Sequence, residues 1–213
     1  MLSTFAVIDF ETTGLSPALG DRVTEVGVVI LANGRIVDRF QSLVNPRRPI
    51  PLYVQSLTGI TDAMVRGAPD AASVMQTLNR FVGSTPYIAH NAAFDRKFLD
   101  AEFATAGLQR RAEVACSLML ARRLYQNAPN HQLGTLVRCL SLPSQGQYHR
   151  ALADAEMTAH LVLRMIDDLH TRHGIEQISH EVLCKLQGVP KLKFADALSK
   201  FKSATATPQQ QAE

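Results

Sequence analysis

Three short clusters contain residue types suited to acid, base or metal chemistry. Asp9 and Glu11 stand two apart in Asp9-Phe10-Glu11-Thr12-Thr13-Gly14, at the end of the apolar run Phe5-Ala6-Val7-Ile8. In a strand, positions i and i+2 share a face, so both carboxylates can converge on one point. An acid embedded in such a run is costly to bury unless it is paired or bound to a cation. The second cluster is His90-Asn91-Ala92-Ala93-Phe94-Asp95, after a brief apolar segment from Pro86; the third is His149-Arg150-Ala151-Leu152-Ala153-Asp154. Taken alone, Asn91 and Asp95 read as a helix cap and a first-turn acid, and His149 and Asp154 as polar groups at a helix start. Together, four carboxylates and one histidine form an oxygen-rich set that suits hard cations such as magnesium or manganese. Two such ions a few ångströms apart provide a clamp for phosphodiester hydrolysis, and histidine is the side chain best suited to deprotonate water near neutral pH.

The elements that must position these groups follow from the apolar pattern. Phe5 to Phe10 is almost wholly apolar, the mark of a central strand buried on both faces. Val23 to Leu31 and Arg35 to Val44 are rich in β-branched residues and are split by Asn33-Gly34, a hairpin turn signal. The first three strands therefore read as an antiparallel meander. Pro46 to Pro51 reads as an extended connection and Pro69 to Val82 as a helix. Pro86 to Ala89 is a fourth strand, Ala93 to Ala106 a helix stopped by Gly107, and Val114 to Cys116 a fifth strand. Leu118 to Tyr125 and Gln132 to Leu140 are short helices. The clearest helix runs from Ala151 to His170, with Ala155, Ala159, Val162, Ile166 and Leu169 on one face. This order predicts an α/β domain built on a mixed five-stranded sheet flanked by helices.

Composition excludes other classes. The chain has 213 residues, 46% of them hydrophobic, with 12 glycines and 10 prolines, so it is neither fibrous nor of low complexity. No apolar run approaches the roughly 18 residues of a membrane helix, and the first residues lack the basic leader and apolar stretch of a signal peptide. The three cysteines are widely spaced, which predicts reduced thiols in a cytoplasmic protein, with no zinc site. A net charge of +3 permits a nucleic-acid partner without demanding one. The reading divides the chain into a domain over 1–173, a lysine-rich helical appendage over 174–202 broken at Gly188 and Pro190, and a polar tail over 203–213 expected to be disordered.

The segments DFETTG, HNAAFD and HRALADA, in this order and at these separations, resemble the three exonuclease motifs of the DnaQ-like, DEDDh-type 3′→5′ exonucleases, which include the proofreading epsilon subunit of bacterial DNA polymerase III. The resemblance covers residues 4 to 170, and the five-residue separation of His149 and Asp154 matches the subclass that uses histidine. It implies an RNase H-like fold and two divalent ions, Mg2+ or Mn2+. It also implies that Asp9, Glu11 and Asp154 are direct ligands, that Asp95 completes the site directly or through water, and that His149 is the general base. Thr12 and Thr13 would hold the 3′-terminal nucleotide, and His90, Asn91 and Phe94 would shape its pocket. Leu57-Thr58-Gly59-Ile60-Thr61 resembles the segment that packs on that nucleotide, although many relatives have histidine where this chain has Thr58.

The implied activity is release of nucleoside 5′-monophosphates from DNA 3′ ends in proofreading or repair. The alternative is an exoribonuclease of the oligoribonuclease or ribonuclease T type. A binding module that only borrows the fold is a third reading, and the intact set of five residues argues against it. Arg47-Arg48, Arg96-Lys97, Arg110-Arg111 and Arg122-Arg123 could follow a phosphate backbone or simply be solvated. Tyr148, beside His149, is a candidate for base stacking or packing. His131, His160, His170, His173 and His180 have no partner at ligand spacing and default to core or surface roles. The appendage could dock on the domain, touch nucleic acid through its lysines, or bind a polymerase partner.

Overall fold

The structure, a computed structural model, describes residues 3–144 and 149–205, the last three by backbone alone. Five strands form one sheet in the order β3-β2-β1-β4-β5. The strands are β1 (Phe5–Thr12), β2 (Val23–Ala32), β3 (Arg35–Leu43), β4 (Tyr87–Ala89) and β5 (Ala115–Cys116). β1 pairs antiparallel with β2 and β2 with β3, while β4 runs parallel to both β1 and β5. Asn33 and Gly34 both have positive φ, 53° and 75°, as the tight turn between β2 and β3 requires. The antiparallel meander and the mixed five-stranded sheet are as the sequence predicts.

Alternation along the strands divides the core in two. Ala6, Ile8 and Phe10 of β1, with Val26 and Val28 of β2, pack on α3 (Ala71–Val82) and α4 (Ala92–Thr105). Phe5 and Val7, with Val29 and Leu31, face the other way, toward α5 (Ser117–Leu124), α6 (Leu133–Cys139) and α7 (Ala151–Thr171). Asp9 and Glu11 continue the odd-numbered row and so point to the α7 side. β1 lies between both layers, which is why its sequence is apolar on both faces.

The connection over Pro46 to Pro51 is non-helical, as expected, and two short helices follow it, α1 (Leu52–Thr58) and α2 (Asp62–Arg66), around a small cluster of Ile50, Val54, Ile60 and Val65. At seven and five residues they are too short to show a helical period. Pro69 and Asp70 precede α3; the Asp70 carboxylate accepts from the Ser73 amide and caps it. β1 runs two residues beyond Phe10, with an irregular pairing between Glu11 and Thr12.

Beyond Gly174, α8 (His180–Gly188) and α9 (Phe194–Thr205) flank a 3₁₀ turn at Lys191–Lys193. Ile175, Ile178, Leu183, Leu186, Phe194 and Leu198 join the α7 core cluster. The Gln187 side chain accepts from the Cys116 amide of edge strand β5, and His180 contacts the Tyr87 carbonyl. The helix continues through residues 203–205, where the sequence suggests the tail begins; residues 206–213 and Tyr148 lie outside the described residues.

Gly27 marks the closest approach of sheet and helix. A Cβ there would lie 2.2 Å from the Leu152 nitrogen and 2.3 Å from the Ala151 carbonyl carbon, both backbone atoms. Gly27→Ala must therefore separate β2 from α7. The expected destabilisation is about 3 kcal/mol, at the upper end of overpacking costs, read from urea denaturation; a loss within error of zero would contradict this close contact.

Candidate metal and nucleotide site

The site forms where β1 and β4 end and where α4 and α7 begin, at the carboxyl edge of the parallel strands. β1 supplies Asp9 and Glu11, both half-buried; the first turn of α4 supplies Asp95, which is 2% exposed; the first turn of α7 supplies Asp154. His149, exposed, precedes α7, and its backbone amide donates to Asp154 Oδ2 at 3.0 Å. Ligand atoms of Glu11, His149 and Asp154 all lie within 4.8 Å of one another. Asp95 Oδ1 is buried with no hydrogen-bond partner.

Crowding defines the electrostatics. Burial, and then Asp95, Asp154, Glu11 and Glu25, holds the Asp9 carboxyl well above its ordinary range. Burial and the charges of Asp154, Glu25 and Asp95 push Glu11 to about 8, with Arg150 pulling the other way. Asp95 is pushed to about 8 by burial, against the backbone amides of Asp95 itself and Phe10. Asp154 is raised chiefly by burial, partly offset by its bond from the His149 amide. Carboxylates forced together in this way repel unless protonated or neutralised by a cation. The donor set, oxygens with one imidazole and one orphaned buried oxygen, fits a hard divalent ion.

The remaining candidates divide between the cleft and the scaffold. His90 is fixed: Nε2 meets the His131 carbonyl at 3.0 Å and Nδ1 the Ser117 hydroxyl at 2.9 Å. Burial lowers it to about 4, so it is neutral. A carbonyl only accepts, which places the proton on Nε2 and makes Ser117 the donor to Nδ1. Asn91 occupies the α4 N-cap with φ 70° and makes no side-chain cap bond, contrary to the capping role its type suggests; it faces the cleft. Phe94 packs on Phe98, ring centroids 5.1 Å apart, with Lys97 above it.

Thr12 donates to the Gly14 carbonyl, and Thr13 bridges Asp21 and the Arg22 amide, so both hydroxyls brace the loop after β1. That loop is tied to α4 by a bidentate pair, Arg22 with buried Glu102, at 2.8 Å for each contact. Thr58 is buried, donating to the Val54 carbonyl and accepting from the Ile60 amide at the end of α1, and is not part of the cleft wall.

The cleft has a volume of about 1040 Å³ and reaches from Asp9, Asp154 and His149 to Arg122, His131 and Arg138. Sequence reading put Arg122 in a basic pair but gave His131 only a default role and passed over Arg138. Of the other basic residues, Arg110 is spent on Asp100, Arg48 on Asp21 and Arg123 on the Val189 carbonyl. The largest omission is Glu25, fully buried opposite Glu11. Its signal was the one that marked Asp9: an acid inside a β-branched run.

Comparison with known proteins places these observations in a family. Residues 6–162 match the RNase_T family model, described as an exonuclease. The chain is 40% identical over 171 residues to DNA polymerase III PolC-type of Halalkalibacterium halodurans, covering 80% of this chain and 12% of that protein. It is 39% identical over 167 residues to the Bacillus subtilis counterpart, covering 78% and 12%. The chain thus spans about an eighth of the length of these curated relatives. Among solved structures, exonuclease X in complex with 5′ overhanging duplex DNA aligns with TM-score 0.70 at 29% identity, over 86% of this chain and 99% of that one. The nuclease domain of 3′hExo, a DEDDh family member bound to rAMP, aligns with TM-score 0.68 at 22% identity, over 78% and 93%, a likeness of fold.

The raised carboxyls give a pH signature. Groups that hold protons more tightly when folded stabilise the protein at low pH and lose that contribution as pH rises through their folded values. Buried neutral His90 acts oppositely below about 6.5, so pH 6.5 to 8.5 isolates the carboxylates. The melting temperature of metal-free protein is expected to fall across this interval. Mg2+ or Mn2+ should raise it most at pH 8.5, and Glu11→Gln should raise it there without metal. A flat profile by differential scanning calorimetry would contradict the crowding.

Proposed function

The chain belongs to the RNase_T exonuclease family, and on that premise we propose that it is a metal-dependent 3′→5′ exonuclease that releases nucleoside 5′-monophosphates from DNA ends. The observation that carries this reading is the convergence of Asp9, Glu11, Asp95, Asp154 and His149 at one edge of the sheet, beside a cleft large enough for more than one nucleotide. Two divalent cations, Mg2+ or Mn2+, bound by these carboxylates would activate the attacking water and stabilise the departing oxygen. Asp9, Glu11 and Asp154 are the direct ligands in this reading, and Asp95 completes the set directly or through water.

His149, exposed at the cleft, takes the proton of the water that attacks the terminal phosphodiester. The 3′ oxygen of the penultimate nucleotide then leaves. Thr12, Thr13, Asn91 and Phe94 shape the terminal-nucleotide pocket, Thr12 and Thr13 through the loop they brace. His90 contributes by fixing the His131 segment. Arg122 and Arg138, both exposed in the cleft, meet the phosphates of the strand.

The choice of DNA is supported by relatives named as DNA polymerases and by the likeness to exonuclease X. Exoribonuclease action is the second reading, since the five residues serve either sugar. Residues 1–173 form the exonuclease unit in this proposal. Residues 174–202 are a helical addition, through which a polymerase partner would bind. Among the described residues no helix is long and apolar enough to cross a membrane, and the protein is proposed to act in the cytoplasm.

The test uses 5′-labelled single-stranded DNA and matched RNA, with Mg2+, Mn2+ or chelator. A metal-dependent ladder shortening from the 3′ end of DNA is expected. A ladder on RNA alone would transfer the chain to RNA processing, and no ladder on either would overturn the reading. Asp9→Asn and Asp154→Asn should each lower kcat by about 10³-fold or more in a folded protein, as loss of a principal charge-stabilising group does. Arg122→Gln and Arg138→Gln should raise KM and each flatten the salt dependence of binding by about 0.7 in log–log slope; an unchanged slope would remove them from the phosphate path.

A further inference from the structure

Glu25 is not among the residues that the family motifs assign, yet it makes four polar contacts at the edge of the site. Its carboxylate accepts from Arg150 Nε at 3.1 Å and Arg150 Nη2 at 2.7 Å, from the Ala151 backbone amide at 3.0 Å, and from Gln41 Nε2 at 2.8 Å. Ala151 is the first residue of α7, and the N-cap Arg150 makes no side-chain cap bond. An amide that a helix leaves unpaired at its start is thus satisfied from a neighbouring strand. Two residues along, Gly27 lets β2 touch the backbone of Ala151 and Leu152.

The strand register makes these contacts pointed. Glu25 lies opposite Glu11, and Gly27 lies opposite Asp9. Partners across an antiparallel pair share a face, so the two β2 positions that seat the start of α7 are aligned with the two acids of β1. His149 immediately precedes the clamped Arg150. Its φ is 64°, in the left-handed region, where a residue with a side chain needs support from its surroundings. Its imidazole is exposed, so the backbone that leads into Arg150 and Ala151 governs where the ring can go.

Resting on the exonuclease reading above, we propose that Glu25 and Arg150 form a positioning pair that seats the first turn of α7 on β2 and so holds the His149 imidazole beside Glu11 and Asp154. The pair touches neither substrate nor reacting atoms. Its chemistry suits placement better than stability. A fifth carboxylate adds to the repulsion among Asp9, Glu11 and Asp154, and an apolar pair of similar volume would fill the same space at no such cost. The planar guanidinium fork supplies fixed orientation, which a lysine or an apolar contact does not.

The experiment compares full-length wild type with Arg150→Met, Glu25→Leu, the double variant and Arg150→Lys. Three quantities are read: steady-state kinetics on a 5′-labelled oligonucleotide, melting temperature, and amide hydrogen exchange at Ala151 and His149 relative to Ile166 far along α7. The single variants are expected to lose about 10²-fold in kcat, the cost of a misplacement of about 1 Å, with KM within about twofold. The double variant should recover the melting temperature, having no unpaired buried charge, but not kcat. Arg150→Lys, which keeps the charge and loses the fork, should recover less than a tenth of wild-type kcat. Ala151 exchange should accelerate at least tenfold in Glu25→Leu.

A folded double variant with wild-type kcat, full recovery by lysine, or unchanged Ala151 exchange would each overturn the proposal. If wild type cleaves no nucleic acid, the exonuclease reading fails, and the exchange measurement still decides whether the pair seats the helix. Arg172→Met, which removes one of the two arginines on Asp168 at the far end of α7, serves as the control and should leave kcat unchanged.

Discussion

Repulsion among carboxylates is the constraint around which this molecule is arranged. Asp9, Glu11, Asp95 and Asp154 come from three separate elements, and Glu25 from a fourth; burial pushes each of the first three named away from its charged form, and neighbouring carboxylates add to this at Asp9 and Glu11. Left to themselves the side chains would move apart. They stay together because the backbones that carry them are fixed by packing elsewhere: β1 between two apolar layers, α4 on one face of the sheet, α7 on the other. The stability of the core opposes the repulsion at the site, and the resulting cluster of oxygens is a donor set that fits a divalent cation.

Two bidentate ion pairs connect this core to the loops that matter. Arg22 and Glu102 join the segment after β1 to α4, and Arg150 and Glu25 join the segment before α7 to β2. In both, the acid is almost wholly buried and the arginine is partly exposed, so the charge of the pair is shared with solvent on one side only. Such a fork fixes direction as well as distance. Hydrogen bonds thus tie the loop after β1 and the segment before α7 to the sheet and its helices, while the apolar layers supply the bulk of the stability.

The segment beyond Gly174 belongs physically to the same body. Its apolar residues enter the α7 cluster, and Gln187 covers an amide of the edge strand β5 that would otherwise face solvent. Edge strands expose unpaired donors and acceptors, so a C-terminal helix that closes this edge protects the short β4–β5 half of the sheet. That half carries His90 and Asn91, which border the cleft, and buried Ser117, which holds the His90 ring.

The sequence alone determined a good deal. The almost wholly apolar run around Ile8 required a central strand, Asn33-Gly34 required a hairpin, and the four-three spacing from Ala155 to Leu169 required a long helix, because each pattern reflects local geometry. Asp9 and Glu11 were legible because an acid in an apolar strand is unfavourable unless it has a task, whereas Asp95, His149 and Asp154 were legible only through the order and spacing of the three motifs taken together. The short helices α1 and α2 were not legible, being shorter than the period that would reveal them. Nor was the use of each polar group. Thr58 and His90 carry types suited to binding, but the local backbone at the end of α1 occupies the hydroxyl of one, and distant Ser117 and His131 occupy both ring nitrogens of the other. Arg150 is more than a hundred residues from Glu25 and Gly27, and only folding could show that they meet at the start of α7. Local sequence encodes periodicity and cost; which distant groups satisfy one another is decided by packing, since hydrogen bonds and close contacts depend on proximity in space.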